Sequence, residues 1–278
     1  MRLKGWRHTV AVLGAIFRKD LRVFLSYRVN AIMRVVEPVM WITPAYFLAR
    51  SFRVDGVNVG LDAYVGTSDY VSFLILGGAL SAFVSAVAWG MGFSLKVDMD
   101  AGVLESNWLA PVPVWVQLVG RSLFSLALTT ANVLLVSFWV WLLFGFRIAG
   151  SVAPALLTLA PLLVALYGFG LGLSGVVLIS NDANNVIDIV SNNITKLCGS
   201  DFPVQVLPRP LLAIALGLPL TYAYDAFRGS LLGTRTLLPV PTEQVIIFGL
   251  MLVTVAGGMA VLSRIEKRCR DVGALARH

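Results

Sequence analysis

The chain has 278 residues, of which 58% are hydrophobic and 13% are charged, and its mean hydropathy is +0.82. A soluble domain carries about 45–50% apolar and about 25% charged residues, so this composition argues against an aqueous domain and predicts a polytopic membrane protein. The two cysteines stand far apart, and the two histidines lie near the ends of the chain. They offer no disulfide framework, no paired-cysteine zinc site and almost no material for histidine-based catalysis.

The net charge is +7, and the basic residues are concentrated at the two ends of the chain. Twelve of the 22 lie between residues 2 and 28 or between residues 264 and 277. Positive charge beside membrane spans is typical of the cytoplasmic side, so both termini are predicted to be cytoplasmic. We attribute the basic ends to topology and to contact with anionic membrane lipid, and we expect no nucleic-acid partner.

Residues 8–28 are predicted to form an interfacial helix. Its apolar residues recur at helical spacing, at Val10, Leu13, Phe17, Leu21, Phe24 and Leu25. The cations Arg18, Lys19 and Arg22 face elsewhere and would lie in water beside the lipid headgroups. An ordinary packed helix is the alternative.

The first span is predicted over residues 29–49, a length sufficient to cross about 30 Å of hydrocarbon. It contains Arg34 and Glu37, which are three positions apart and can meet on one helix face. An ionisable residue inside a membrane suggests function, although we favour a structural pair near the interface. The polar residues 50–69 are predicted to form an external loop.

Three further spans are predicted over residues 70–95, 114–146 and 152–180, and their glycines are expected to allow close helix contact. In the first of them these glycines are Gly77, Gly78, Gly90 and Gly92. In the third, Gly168 and Gly172 stand at i, i+4. A dinucleotide-binding loop is disfavoured there, because no strand precedes these glycines and no acidic partner follows.

A charged segment with Gly and Pro joins the second and third spans. Residues 99–110 are predicted to form an amphipathic helix with Met99, Val103, Leu104 and Trp108 on one side. Asp98, Asp100 and Glu105 supply its polar side. This pattern favours docking onto a partner, and a divalent-cation site on the three carboxylates is the alternative.

A fifth span is predicted over residues 182–200, where polar residues fall on one helix face at Asn184, Asn185, Asp188 and Asn192. A lipid-facing span does not tolerate such a face, so it is expected to line a water-filled path or a subunit interface. A helix that never crosses the membrane is the alternative.

The prolines of residues 202–233 predict re-entrant external half-helices, with apolar pieces at Leu207 to Leu218 and Thr221 to Leu232. A last span follows over residues 245–262. The predicted fold is therefore all-α, with six transmembrane helices and both ends on the inside.

Three features together resemble the permease subunit of type-2 ATP-binding-cassette transporters, the exporter family. The first is Gly102-Val103-Leu104-Glu105, followed by Leu109 and Pro111-Val112, which resembles that family's coupling-helix motif. The second is Phe202-Pro203, Leu207-Pro208, Pro219-Leu220-Thr221-Tyr222 and Asp225-Ala226-Phe227-Arg228-Gly229, which is similar to its external re-entrant region. The third is the order of interfacial helix, six spans and basic tail. The sequence departs from the family at Leu218, where Asn is usual, and at Asp98 and Asp100, where a basic residue is common.

The resemblance implies a homodimeric permease of the cell membrane, typical of a bacterial inner membrane, that exports a drug, a lipid or a lipid-linked glycan. Its coupling helix would bind a nucleotide-binding subunit through Gly102, Val103, Leu104, Glu105, Trp108 and Leu109. The substrate path would be lined by Asn184, Asn185, Asp188 and Asn192. The external gate would include Phe202, Pro203, Pro219, Tyr222 and Arg228, although Arg228 also fits a plain interfacial anchor.

The sequence contains no GxxxxGK[ST] phosphate loop, so ATP and Mg²⁺ are expected on the partner subunit and no cofactor on this chain. The chain itself is not expected to be an enzyme. An ion-coupled secondary transporter is an alternative, but the sequence shows no second matching half. A membrane enzyme or an assembly scaffold is a further alternative, which metal-dependent activity without a partner would favour.

Overall fold

The computed structural model describes residues 6–27, 59–67, 69–103, 106–107, 112–144, 150–180 and 182–272, with single residues at 29, 33, 40, 43, 44, 47 and 51. The described part of the chain is helical and contains no strand. Its helices are α1 (Trp6–Ser26), α2 (Val59–Val65), α3 (Tyr70–Asp100), α4 (Val114–Phe144), α5 (Val152–Ile179), α6 (residues 183–197), α7 (Arg209–Gly217), α8 (Pro219–Leu232) and α9 (Val240–Val272). A short 3₁₀ turn covers Val204–Val206.

Four of these helices, α3, α4, α5 and α9, are long and apolar enough to cross a membrane. The pair α7 and α8, bent by 85°, provides a fifth candidate if it counts as one broken span. The helix α6, predicted as a span over 182–200, is shorter and more polar and is not among the candidates. The predicted first span over 29–49 lies almost entirely outside the described residues. The chain is thus a multi-pass membrane protein, and the predicted count of six spans stays a prediction.

The long helices match the predicted spans within a few residues at most ends. The largest differences are at α3, which continues past residue 95 to Asp100, and at α9, which extends from Val240 to Val272 beyond the predicted 245–262. Helical hydrogen bonding continues through the polar ends of both, whereas the prediction followed the apolar part alone.

Large apolar side chains remain exposed on the outer faces of α4 and α9. Examples are Leu134, Phe138 and Trp141 on α4 and Val245 and Val253 on α9, each at least half exposed. A soluble monomer rarely leaves so continuous an apolar surface in water. These faces therefore suit contact with lipid.

The core is centred on α3 and α5, and α9 packs along the length of α5. A Cβ added at Gly168 would lie 2.4 Å from the backbone nitrogen of Val255, and one added at Gly258 would lie 1.8 Å from the carbonyl oxygen of Gly168. The two backbones therefore touch where only glycine fits. The predicted helix contact at Gly168 and Gly172 is confirmed, since Gly172 also faces Gly258.

Helix α1 packs its apolar side against α4. The Phe17 and Phe124 rings lie 5.6 Å apart, and Gly120 of α4 sits against Leu13 and Ile16. The cations Arg18 and Arg22 point outward and are exposed. The predicted helix therefore exists and is packed on a span, and its placement at the headgroups stays a prediction.

In the part of the chain that the structure describes, two π-helical turns interrupt the regular helices, at Trp89–Phe93 in α3 and at Ile189–Ile194 in α6. The first contains Gly90, whose position lies against Ser122 of α4, and Gly92, whose position lies against Ile187 of α6. A π turn places one extra residue in a helical turn and is common at functional sites. In this protein the turn in α3 lies where α4, α5 and α6 meet.

Candidate functional site

The connecting segment, which we define as residues 101–113, begins with a tight helix end. The N–H of Gly102 donates to the carbonyl of Met99, and the N–H of Val103 donates to the carbonyl of Asp98, both at 3.0 Å. Gly102 has a φ of +66°. This is the Schellman arrangement, in which a left-handed glycine ends a helix. The helix predicted over 99–110 is therefore divided at Gly102, because Met99 belongs to α3.

Polar side chains tie the connecting segment to both spans that it joins. A guanidinium nitrogen of Arg121 on α4 lies 2.8 Å from a carboxylate oxygen of Asp98 on α3, and it also donates to the carbonyl of Ser94 at 3.1 Å. The amide of Asn107 donates to the same Asp98 carboxylate at 3.1 Å. Gln117 on α4 donates to the carbonyl of Asn107 at 3.0 Å. We call these four side chains (Asp98, Asn107, Gln117 and Arg121) the brace.

Two ion pairs, one of them in the brace, account for the acidic residues before Gly102 that depart from the family pattern. Asp98 pairs with Arg121, and Asp100 pairs with Lys96 at 2.6 Å. Among the described residues no group of His, Cys, Asp or Glu is arranged to hold a metal ion. Of the predicted partner-binding residues, Gly102 and Val103 are exposed. Leu104, Glu105, Trp108 and Leu109 lie outside the described residues.

The predicted polar face of α6 is exposed in the single chain. Asn184, Asn185, Asp188 and Asn192 all lie on the surface. They bond mainly within the helix, with Asn185 on Asp182 at 2.7 Å and Asn192 on Asp188 at 2.5 Å. Ile187 on the opposite face is fully buried against α3 and α5. The face is therefore presented away from the core of the chain.

The bend between α7 and α8 is held by two hydroxyl groups. Thr221 donates to the carbonyl of Ala215 at 2.6 Å, and Tyr222 donates to the carbonyl of Leu216 at 2.9 Å. These carbonyls lie in the last turn of α7, where C=O groups lack regular intrahelical donors, and the N–H of Leu218 also donates to that of Ala215 at 3.0 Å. The predicted half-helices are present, at Arg209–Gly217 and Pro219–Leu232. Pro219 opens α8, where a missing N–H costs nothing.

Arg228 of α8 is buried, with 4% of its surface exposed, and its guanidinium binds three backbone carbonyls. It donates to Phe73 of α3 at 3.1 Å, to Gly199 at 2.6 Å and to Ser200. The guanidinium carbon also lies 3.5 Å from the centre of the Phe73 ring. Arg228, on α8, therefore connects this helix to α3 and to the turn that follows α6. The interpretation of Arg228 as an interfacial anchor does not match this burial.

The other predicted gate residues differ in their burial. Pro203 is buried, whereas Phe202, Pro219 and Tyr222 are half-buried. Gly77, predicted to allow helix contact, instead faces the turn after α6 and a side chain, since a Cβ there would lie 1.9 Å from the carbonyl oxygen of Ser200 and 2.0 Å from Arg228. Gly78 has open space around it. Sequence reasoning missed the carbonyl partners of Arg228, since no residue pattern marks them.

Comparison with protein-family models finds a match to the ABC-2 type transporter model over residues 11–232. A search of curated proteins finds no match to this chain. Members of this family are the membrane components of transporters, are not themselves catalytic, and work with an ATP-binding subunit. The matched region includes α1, both spans that flank the connecting segment, the polar helix α6 and the bent pair α7 and α8. The chain therefore belongs to the ABC-2 type transporter family, as its permease component.

Proposed function

We propose that the chain is the transmembrane subunit of an ATP-driven exporter for a hydrophobic or amphipathic substrate, such as a drug, a lipid or a lipid-linked glycan. A separate nucleotide-binding subunit binds Mg²⁺ and ATP and carries out the hydrolysis. The observation that carries the proposal is the brace, because it fixes a cytoplasmic segment to two spans at once. The proposal places the chain in a bacterial inner membrane with both termini in the cytoplasm.

In this proposal the connecting segment acts as the coupling element. Gly102, Val103, Leu104, Glu105, Trp108 and Leu109 lie against the partner. Glu105 makes a polar contact, and Trp108 fills an apolar groove of the ATP-binding subunit. When the partner closes on ATP it displaces the segment, and the Asp98–Arg121 ion pair passes that displacement to α3 and α4 together.

The substrate path lies at the seam of a homodimer and is lined by Asn184, Asn185, Asp188 and Asn192. The exposure of these four residues in the single chain supports this arrangement, since a polar face against lipid would be costly. Phe202, Pro203, Pro219 and Tyr222 form the external gate, which Arg228 holds to α3.

Cysteine labelling tests the path. In a chain with Cys269→Ser, where Cys198 is buried, we expect Asn185→Cys and Asp188→Cys to react with a water-soluble maleimide in at least one nucleotide state. Val245→Cys, an exposed residue on the apolar face of α9, is the control and should react at least about tenfold more slowly, because thiolate attack needs water. Complete protection of both path positions in every nucleotide state would reject the path.

Measurements of ATP hydrolysis test whether the separate subunit, and not this chain, hydrolyses ATP. We expect the purified chain alone to hydrolyse no ATP, and the reconstituted complex with its ATP-binding subunit to hydrolyse ATP at about 1 s⁻¹ or faster, the lower end of ordinary turnover. Hydrolysis by the chain alone would contradict the proposal. The ion-coupled, enzymatic and scaffold alternatives predict activity or assembly that needs no ATPase, and family membership does not favour them.

A further inference from the structure

Two carboxyl groups lie together where α8 meets the start of α9. Asp225 is on α8, Glu243 is in the first turn of α9, and the loop of residues 233–239 connects the two helices. The two carboxyl groups are close enough to act directly on each other. Glu243 is completely buried. This pair takes no part in the proposed partner contact or substrate path.

Consecutive backbone amides of the loop bind one oxygen of each carboxyl group. The N–H of Leu237 donates to Oδ2 of Asp225, and the N–H of Leu238 donates to Oε1 of Glu243 at 3.1 Å. Oε2 of Glu243 is buried and has no donor among the residues that the structure describes. A buried acceptor without a donor is destabilising, and for an ionised oxygen the effect is larger. Within the described residues, one oxygen of the pair, Oε2 of Glu243, therefore lacks a hydrogen-bond donor.

No cation in the described ranges supplies that donor. Among the described residues, the ion pairs within 4.0 Å involve neither Asp225 nor Glu243. Arg228 lies one turn after Asp225 and is the charged group that acts on it from the same helix. Its N–H groups donate to the carbonyls of Phe73, Gly199 and Ser200. From α5, only neutral groups approach this end of α9, where Gln244 donates to the carbonyl of Pro154 at 3.0 Å.

We propose that Asp225 and Glu243 bind one proton between them and that this shared proton fastens α8 to α9. A protonated carboxyl group carries an O–H donor, which an ionised one lacks. A proton on Oε2 of Glu243 donates to the carboxylate of Asp225, so the orphaned oxygen gains a partner and one of two repelling charges disappears. Because Gln244 ties the same turn to α5, the proton holds α8 to a fixed part of the membrane body.

Infrared spectroscopy of the purified full-length chain tests the proton directly. We expect the wild type at neutral pH to show the carbonyl stretch of a protonated carboxylic acid. Glu243→Gln and Asp225→Asn should each remove it, because each variant leaves one carboxylate beside an amide. Asp188→Asn, which removes an exposed carboxylate, should leave the band intact. Absence of the band in the wild type, or its survival in both pair variants, would overturn the proposal.

Thermal unfolding of the same proteins tests whether the shared proton stabilises the contact between α8 and α9. Glu243→Gln keeps an acceptor for Leu238 and supplies an N–H for Asp225, so its melting temperature should stay within about 2 °C of the wild type. Glu243→Ala loses both contacts, and its melting temperature should fall by about 3–10 °C. Equal melting temperatures for the Gln and Ala variants would overturn the proposal. If the proton is shared, the Gln amide can restore the contacts with Leu238 and Asp225, and Ala cannot.

Discussion

Replacing Arg228 with Met is expected to lower the melting temperature of the chain by about 6–12 °C. Met removes the guanidinium but retains an unbranched apolar stem, so the main loss is the three donors. The carbonyls of Phe73, Gly199 and Ser200 are then left with one partner fewer inside the protein. The Phe73 carbonyl keeps its donor within helix α3, so two carbonyls lose their donor at about 1–3 kcal/mol each, and with the lost Phe73 ring contact the loss is about 3 kcal/mol or more. Thermal unfolding in detergent measures the effect.

The control for this prediction is Arg209→Met, which removes an exposed arginine at the start of α7 and should change the melting temperature by less than about 2 °C. Arg228→Lys should fall between wild type and Met, because one ammonium cannot reach three carbonyls in the geometry of a planar fork. A melting temperature of Arg228→Met equal to that of the wild type would show that the contact does not stabilise this end of the protein.

The contact between Arg228 and the Ser200 carbonyl can also be tested by substitutions in α3. A Cβ at Gly77 would overlap the Ser200 carbonyl and the Arg228 guanidinium, whereas a Cβ at Gly78 meets open space. Gly77→Ala should therefore reproduce the Arg228→Met loss, and Gly78→Ala should be neutral or slightly stabilising because alanine favours helix. Comparison of these two adjacent substitutions distinguishes a local clash at Gly77 from a general effect of alanine in α3.

The spans and the half-helices were predictable because hydropathy and proline positions act locally. An apolar run long enough to cross a bilayer marks α3, α4, α5 and α9 without knowledge of neighbours. The helix contact at Gly168 was also predictable, since glycines at i, i+4 on an apolar helix signal close approach. The polar face of α6 was visible in the sequence, but its exposure depends on what packs behind Ile187.

The contacts that join separate elements were not predictable. Asp98 and Arg121 lie on different helices, and their pairing depends on how the connecting segment brings α3 back towards α4. The sequence predicts Arg228 in the external gate, with an interfacial anchor as the alternative, because charge alone suggests a headgroup partner. Its true partners are backbone carbonyls, which carry no sequence signal. The π turns at Trp89–Phe93 and Ile189–Ile194 arise where several helices meet, and no residue pattern specified them.

The Glu105→Lys variant is expected to uncouple ATP hydrolysis from movement of the membrane helices. If Glu105 makes the proposed polar contact with the ATP-binding subunit, reversal of its charge replaces attraction by repulsion, while the four residues of the brace are unchanged and keep the connecting segment attached to α3 and α4. Asp62→Lys, at an exposed position of α2, makes the same charge change away from the connecting segment and is the matched control.

The most direct test follows both events in the reconstituted complex of chain and ATP-binding subunit. ATP hydrolysis is measured together with the ATP-dependent change in maleimide labelling at Asn185→Cys, first in the otherwise unchanged chain and then with Glu105→Lys or Asp62→Lys. We predict that Glu105→Lys retains hydrolysis and reduces the labelling change by about tenfold, as expected for a loss within the usual range of coupling between two sites. Asp62→Lys should preserve both. An undiminished labelling change in Glu105→Lys would contradict the claim that the ATP-binding subunit acts through this segment.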